Sequence, residues 1–217
     1  MVEQKEYLYQ HPLFFDLSEE ELDALANATS IKKYYKGNIL FYEKDKNENI
    51  YFLSSGALKI YKVDRLDNEI FMYNINEGNL ISEITDLDGT IGCYANAEFI
   101  KDSTVLIFDY GAFKDIFSTN TKFLLNIIKE FAKKTKMLQC IINREIVFDG
   151  TAKVAFMLAH DLESFNTLKK GEVAYMLNIQ PETLSRILNK LLRQNLIQND
   201  GQKLQIIDME GLRACYE

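Results

Sequence analysis

The spacing of apolar residues shifts along the chain, and each shift marks a different kind of element. The stretch "LSEEELDALANA" predicts a helix: Ser18 is an N-cap candidate, Glu21 stands three residues later as the second half of a capping box, and Leu22 and Leu25 follow. From Lys32 to about Tyr110 the runs "ILFYE", "NIYFLS", "ALKIYKV", "EIFMYNI" and "NLISEI" are short and rich in β-branched and aromatic residues. Turn signals separate them at Lys36-Gly37, Ser55-Gly56, Asp67-Asn68, Glu77-Gly78 and Asp88-Gly89. Regular short strands of this kind predict a small barrel or sandwich. Helical spacing then returns in "TKFLLNIIKEFAKKTKMLQCIINREI", where Leu124, Ile128, Phe131, Thr135, Leu138, Ile142 and Glu145 step alternately by four and three. Such a stripe serves a coiled-coil seam, and it serves equally a helix packed on its own barrel.

The sequence "VFDG" around Asp149-Gly150 breaks that helix and marks a domain boundary. Beyond it, "TAKVAFMLAHDL" and "KKGEVAYMLNI" predict two short helices, a turn follows at Asn178-Ile179-Gln180, and a third helix starts at Gln180-Pro181. Two short strands joined across Asp200-Gly201 complete a winged helix-turn-helix. The organisation expected is α+β: a sensor β-roll with an N-terminal helix over 1–118, a long helix over 119–147, and a winged helix-turn-helix over 148–217.

The third helix carries the candidate chemistry. At about 100° per residue, Leu184, Ile187, Leu188 and Leu191 gather on one side and Glu182, Ser185, Arg186 and Asn189 on the other. Arg grips guanine O6 and N7 with two hydrogen bonds, Glu accepts from cytosine N4, and Ser bonds several base edges. Thr183 lies in the same first turns, while Lys190 and Arg193 farther along suit phosphates. Charge agrees: the chain has a formal charge of −7, yet within 169–203 six basic residues (Lys169, Lys170, Arg186, Lys190, Arg193 and Lys203) face three acidic ones (Glu172, Glu182 and Asp200).

Composition narrows the alternatives. Hydrophobic residues at 47% and charged residues at 26% describe an ordinary folded chain. No apolar run reaches the roughly 18 residues that span a bilayer, and "MVEQKEYLYQ" is no signal peptide, so a cytoplasmic address with no membrane partner is expected. Cys93, Cys140 and Cys215 are far apart and in no CxxC pairing, and only His11 and His160 are histidines. Neither a disulfide framework nor a metal site is indicated. An enzyme built on the barrel finds no nucleophile beside a base and no Gly-rich phosphate loop, so no catalytic residue is assigned.

Taken together, "ILFYEKDKNENIYFLSSGALKIYKV", the long helix and "ETLSRILNKLLRQNLI" resemble the CRP/FNR family of bacterial transcription regulators over nearly the whole chain. The resemblance implies a cyclic-nucleotide-binding-type β-roll (jelly-roll), a dimerisation helix with Leu124, Ile128, Phe131, Thr135, Leu138 and Ile142 at the interface, and a winged helix that binds inverted repeats in double-stranded promoter DNA, with RNA polymerase as a further partner. The segment Glu182-Thr183-Leu184-Ser185-Arg186 is similar to the E-xx-SR signature of FNR-type readers, which implies TTGA-type half-sites.

Departures from the family matter as much. Cyclic-AMP-binding members carry Gly-Glu near the start of a phosphate cassette and Arg-Ser near its end. Here the effector-pocket candidates are Glu83, after Ser82, and then Cys93 and Tyr94. Without the phosphate-gripping Arg, cyclic AMP is not the expected effector. The cysteine positions exclude the iron–sulfur cluster of the oxygen-sensing branch. "IQPETLSRI" resembles the recognition segment of the haem-associated, nitric-oxide-responsive branch, and "HPLFFDLS" has a counterpart there, which makes His11 a candidate haem ligand and His160 a weaker one. The competing expectation is a cyclic-nucleotide-binding-type module without haem, sensing another small molecule or regulated by abundance.

Overall fold

A computed structural model describes residues 2–82, 91–201 and 203–217. Packing divides the chain into two units, Met1–Met137 and Leu138–Glu217.

The first unit opens with α1 (Val2–Tyr9), a short 3₁₀ turn at Pro12–Phe14 and α2 (Glu19–Asn27). The predicted capping box is present: the Ser18 hydroxyl accepts from the Glu21 N–H at 3.2 Å, and the Glu21 carboxylate accepts from the Ser18 N–H at 2.7 Å. Ten strands follow: β1 (Thr29–Tyr34), β2 (Ile39–Phe41), β3 (Lys46–Asn47), β4 (Asn49–Ser55), β5 (Ala57–Val63), β6 (Glu69–Asn76), β7 (Asn79–Leu80), β8 (Ile91–Gly92), β9 (Asn96–Phe99) and β10 (Ser103–Asp109). They form two four-stranded antiparallel sheets, β1-β10-β4-β7 and β2-β9-β5-β6, with β3 and β8 paired between them in sequence order. This is the expected β-roll.

Alternation along β4 and β10 explains how helices and strands share a core. Ile50, Phe52, Leu106 and Phe108 pack with Leu8, Phe14 and Leu25 of the helical segment. Residues of the opposite parity, Leu53 and Val105, are equally buried, so both faces of these strands are covered. Phe14 sits edge-on to Phe52, with ring centroids 5.3 Å apart, and each such buried ring stabilises the fold by about 1.5–3 kcal/mol. Between β4 and β5, Gly56 turns the chain at φ 97°, where an added Cβ would collide with Ser103.

After β10 comes α3 (Tyr110–Thr119), a helix that the hydrophobic pattern did not reveal, capped by the Asp109 carboxylate on the Ala112 N–H at 2.9 Å. The long helix is α4 (Thr121–Ile142). It begins at 121 rather than 119 because Asn120 interrupts the helical path, its side chain accepting from the Phe123 N–H at 3.0 Å and donating to Glu21 at 2.9 Å. Phe123 and Ile127 are buried in the first unit's core, and Leu124 and Phe131 are partly buried against it. Ile128, Thr135, Leu138 and Ile142 are exposed. The predicted seam therefore divides, two of its members leaning on the roll and four facing outward.

The second unit holds the end of α4, a π-turn at Asn143–Val147, α5 (Gly150–His160), α6 (Leu162–Thr167), α7 (Lys170–Met176), α8 (Pro181–Arg193), the hairpin β11 (Ile197–Asp200) and β12 (Lys203–Ile206), and α9 (Met209–Arg213). Val154, Leu158, Val173, Leu184, Leu188, Leu191, Ile197 and Leu212 form its core. The π-turn corrects the long-helix expectation at one point: Glu145 does not continue the seam. Its carboxylate instead accepts from Arg144 Nε at 2.7 Å and from Nζ of the buried Lys153 at 2.6 Å. Among the described residues no helix is long and apolar enough to cross a membrane.

Candidate nucleic-acid interface

The interface is built on α8. Gln180 is its N-cap and Pro181 its first residue, where the missing N–H costs nothing because no carbonyl precedes it in the helix. The turn from α7 passes through Asn178 at φ 50°, a left-handed conformation that Asn tolerates better than most residues. Leu184, Ile187, Leu188 and Leu191 are buried, and this anchors one face of the helix in the core. Glu182, Arg186, Asn189, Lys190 and Arg193 are exposed on the other face, with Thr183 and Ser185 half-buried at its margins.

Within that face the structure brings side chains together. Arg186 Nη2 donates to Thr183 Oγ1 at 3.0 Å, which holds the guanidinium back toward the start of the helix. A hollow of about 340 Å³ is lined by Arg186, Asn189, Lys190, Arg193 and Gln194, so the basic residues of the later turns share one concave surface. Toward the hairpin a groove of about 300 Å³ is lined by Ser185, Asn189, Asn166, Lys170, Asn199 and Leu204, among others. Hydrogen-bond donors therefore outnumber carboxylates over both hollows, which suits an acceptor-rich, anionic partner.

Inside the β-roll is a small cavity of about 40 Å³, lined by Phe41, Asn47, Tyr51, Tyr73, Cys93 and Tyr94 together with aliphatic residues. The Cys93 thiol is buried and accepts from Asn47 Nδ2 at 3.1 Å, whereas Tyr94 sits at the rim, 62% exposed. Burial pushes the Tyr51 phenol above its ordinary pKa, as an apolar wall would. Glu83, the remaining effector candidate, lies outside the described residues. No Lys or Arg is among the cavity's described lining, and the sequence has none at all between Arg65 and Lys101, against seven Asp or Glu.

His11 lines none of the cavities described among these residues. Its Nε2 lies 3.0 Å from Ser54 Oγ, its ring stands edge-on to Phe52, and burial holds its pKa below the usual range. A groove of about 230 Å³ between β6, β7 and α4 is lined by Asn74, Asn76, Asn79, Glu130, Lys133 and Lys134 together with Ile75, Leu80 and Met137, and neither histidine is among them. His160 belongs to the other unit, with Nδ1 3.0 Å from the Phe156 carbonyl and its ring stacked on Phe156. Haem needs an apolar slot with an inward-facing imidazole, and the described contacts of His11 and His160 are with Ser54, Phe52 and Phe156 instead. Among the described residues no group of three or more His, Cys, Asp or Glu could hold a metal ion.

Residues 31–120 match the family model of the cyclic nucleotide-binding domain, and residues 153–215 match that of the Crp-like helix-turn-helix domain. The chain belongs to the CRP/FNR family of transcription regulators. This CRP/FNR regulator is thus a DNA-binding protein and not an enzyme. It is 23% identical over 212 residues to the anaerobic regulatory protein of Pasteurella multocida, covering 91% of this chain and 76% of that one. A solved CooA mutant from Carboxydothermus hydrogenoformans shares its fold at a TM-score of 0.70 and 21% identity, covering 88% of this chain and 89% of the other. DNR from Pseudomonas aeruginosa is 26% identical at a TM-score of 0.50, covering 98% and 96%.

Three contacts beyond the pattern of α8 were invisible in the sequence. Asn166 bonds both backbone groups of Leu204, Lys153 is held by Glu145, and Lys134 Nζ donates to the carbonyls of Ile81 and Ser82 at 3.0 and 2.9 Å. Each joins residues that are distant in sequence or lie in irregular backbone, where no periodicity signals a partner.

Proposed function

We propose that this CRP/FNR regulator works as a cytoplasmic homodimer that reads TTGA-like inverted repeats through α8, and that its effector is not cyclic AMP. The observation that carries the reading is the outer face of α8, where Arg186 is braced by Thr183 next to Glu182 and Ser185. Arg186 takes the G of the half-site with two hydrogen bonds, Glu182 accepts from the C paired to it, and Ser185 meets a neighbouring T. Lys190, Arg193 and Asn189 hold the backbone and the margin of the site. Exposed Ile128 and Ile142, at 51% and 53%, with Thr135 and Leu138 between them, form the line on which a second copy seats, Leu124 and Phe131 closing it from the roll side. RNA polymerase is the expected partner once the dimer is on a promoter.

The described lining of the roll cavity holds no cation, and the sequence has no Lys or Arg between Arg65 and Lys101, which argues against a cyclic phosphate, because a buried phosphate needs a charge-assisted donor. A second reading, that the signal is nitric oxide, is supported by the segment "IQPETLSRI" and by the likeness to DNR. His11, bonded to Ser54, lends no support to haem as its carrier. An absorption spectrum after haemin addition tests that reading: a sharp Soret band at one haem per chain, moved by nitric oxide, favours it, and unsaturable uptake rejects it.

The experiment for the main reading compares native protein and Arg186→Ala on a TTGA repeat and on a duplex with the G replaced. Loss of the bidentate contact costs about 1–3 kcal/mol per half-site and relaxes discrimination at the G. Unchanged preference would reject the assignment.

A further inference from the structure

Among the described residues no strand pairs the outer edge of the hairpin beside α8. β12 pairs with β11 in a two-stranded sheet, with Asn199 opposite Leu204 and Asp200 opposite Lys203. An isolated two-stranded hairpin is marginal in water, and its free edge leaves N–H and C=O groups without partners. At Leu204 both groups are filled by one side chain. Asn166 Nδ2 donates to the Leu204 carbonyl at 3.0 Å, and the Leu204 N–H donates to Asn166 Oδ1 at 2.8 Å. The carboxamide does at one residue what a third strand would do along the whole edge.

An amide meets this demand, since it offers a donor and an acceptor side by side. An aspartate would accept from the N–H and repel the carbonyl, and a leucine of similar size would satisfy neither. The place of the contact matters as much as its chemistry. Asn166 and Leu204 line the same groove as Ser185 and Asn189 of α8, with Asn199 of the hairpin beside them. Asn166 thus holds β12 at the wall of that groove, and the exposed Lys203 is the residue before Leu204 in the same strand.

We infer that Asn166 is a positioning residue for DNA binding: its carboxamide pins the hairpin to α6 so that Lys203 meets the DNA backbone while α8 reads the bases. The inference rests on the reading of α8 as the DNA-reading helix, and it adds a residue that touches no nucleotide. Its mark is a dependence of Lys203 on Asn166, because a lysine whose hairpin drifts no longer finds its phosphate.

The test is a double-mutant cycle on the full chain, read by fluorescence anisotropy with a TTGA-repeat duplex across a salt series. In the native background Lys203→Ala weakens binding about tenfold and makes the salt slope shallower by about one per half-site. Asn166→Leu gives a similar loss by itself, with discrimination at the G retained, and in that background Lys203→Ala adds less than about a twofold change. Asn166→Asp, which keeps the acceptor for the Leu204 N–H, runs the same cycle if the leucine variant does not fold. Equal losses from Lys203→Ala in both backgrounds overturn the positioning role. Arg186→Ala on the same duplexes separates the two ideas: unchanged base preference there overturns the reading of α8, whereas additivity of the Lys203 and Asn166 changes overturns only the wing inference.

Discussion

Glu145→Gln should destabilise the second unit well beyond what a surface change would. The Lys153 side chain is 10% exposed and its Nζ lies 2.6 Å from the Glu145 carboxylate, while Arg144 Nε binds the other oxygen at 2.7 Å. Removing one member of a fully buried pair costs about 3–5 kcal/mol, because the remaining charge stays desolvated. Glu145 itself is 23% exposed, so water reaches the site and the expected cost falls to about 2–3 kcal/mol. The double change Glu145→Gln with Lys153→Met removes the more deeply buried of the two cations that the carboxylate binds and should recover most of the loss. The pH dependence has a definite sign. Burial disfavours the Glu145 charge, but the bonds from Lys153 and Arg144 outweigh it and hold the carboxyl below the ordinary value of 4.5. Its contribution is therefore complete above about pH 4.5 and fades as pH drops through the lower folded value. Urea unfolding followed by far-UV ellipticity at neutral and acid pH gives the magnitude, and hydrogen exchange at the α5 amides assigns it to this unit. A Glu145→Gln cost under about 0.5 kcal/mol at neutral pH, the range of an ordinary surface substitution, would refute the reasoning.

Charging the outward line of α4 tests the dimer: Leu138→Lys with Ile142→Lys should turn the particle seen by light scattering from a dimer into a monomer while hydrogen exchange of the roll core is unchanged, and a variant that stays dimeric would move the interface elsewhere. Calorimetry with cyclic AMP should give no binding heat, since no cation lines the described cavity, and a saturable heat would contradict that reading.

What could be read from the sequence depended on local signals. The Ser18–Glu21 capping box and the two faces of α8 follow from spacing within a few residues, and both stand as read. The strands were legible where β-branched runs ended in turn residues, as at Gly56 and Gly78. α3 was missed because Phe113, Ile116 and Phe117 follow directly on the buried run of β10 and blur the change of period. The π-turn could not be foreseen either. A seam stepping by three and four passes smoothly through Glu145, and only the buried Lys153 in α5 reveals why the backbone widens there. Side chains that bond distant backbone, Asn166 and Lys134 above all, leave no periodic trace. The E-xx-SR resemblance named Arg186 and Glu182, whereas the bond from Arg186 to Thr183 depends on side-chain placement that no residue spacing encodes.

The central claim is that α8 of a symmetric dimer reads a specific half-site, and the most direct measurement is selection of binding sites from a randomised duplex pool by the native protein and by Arg186→Ala. The account predicts that the native protein enriches an inverted repeat of TTGA-like half-sites about 10 base pairs apart, centre to centre, and that Arg186→Ala loses the G from that consensus. A pool without a repeat, or the same consensus from both proteins, would contradict it.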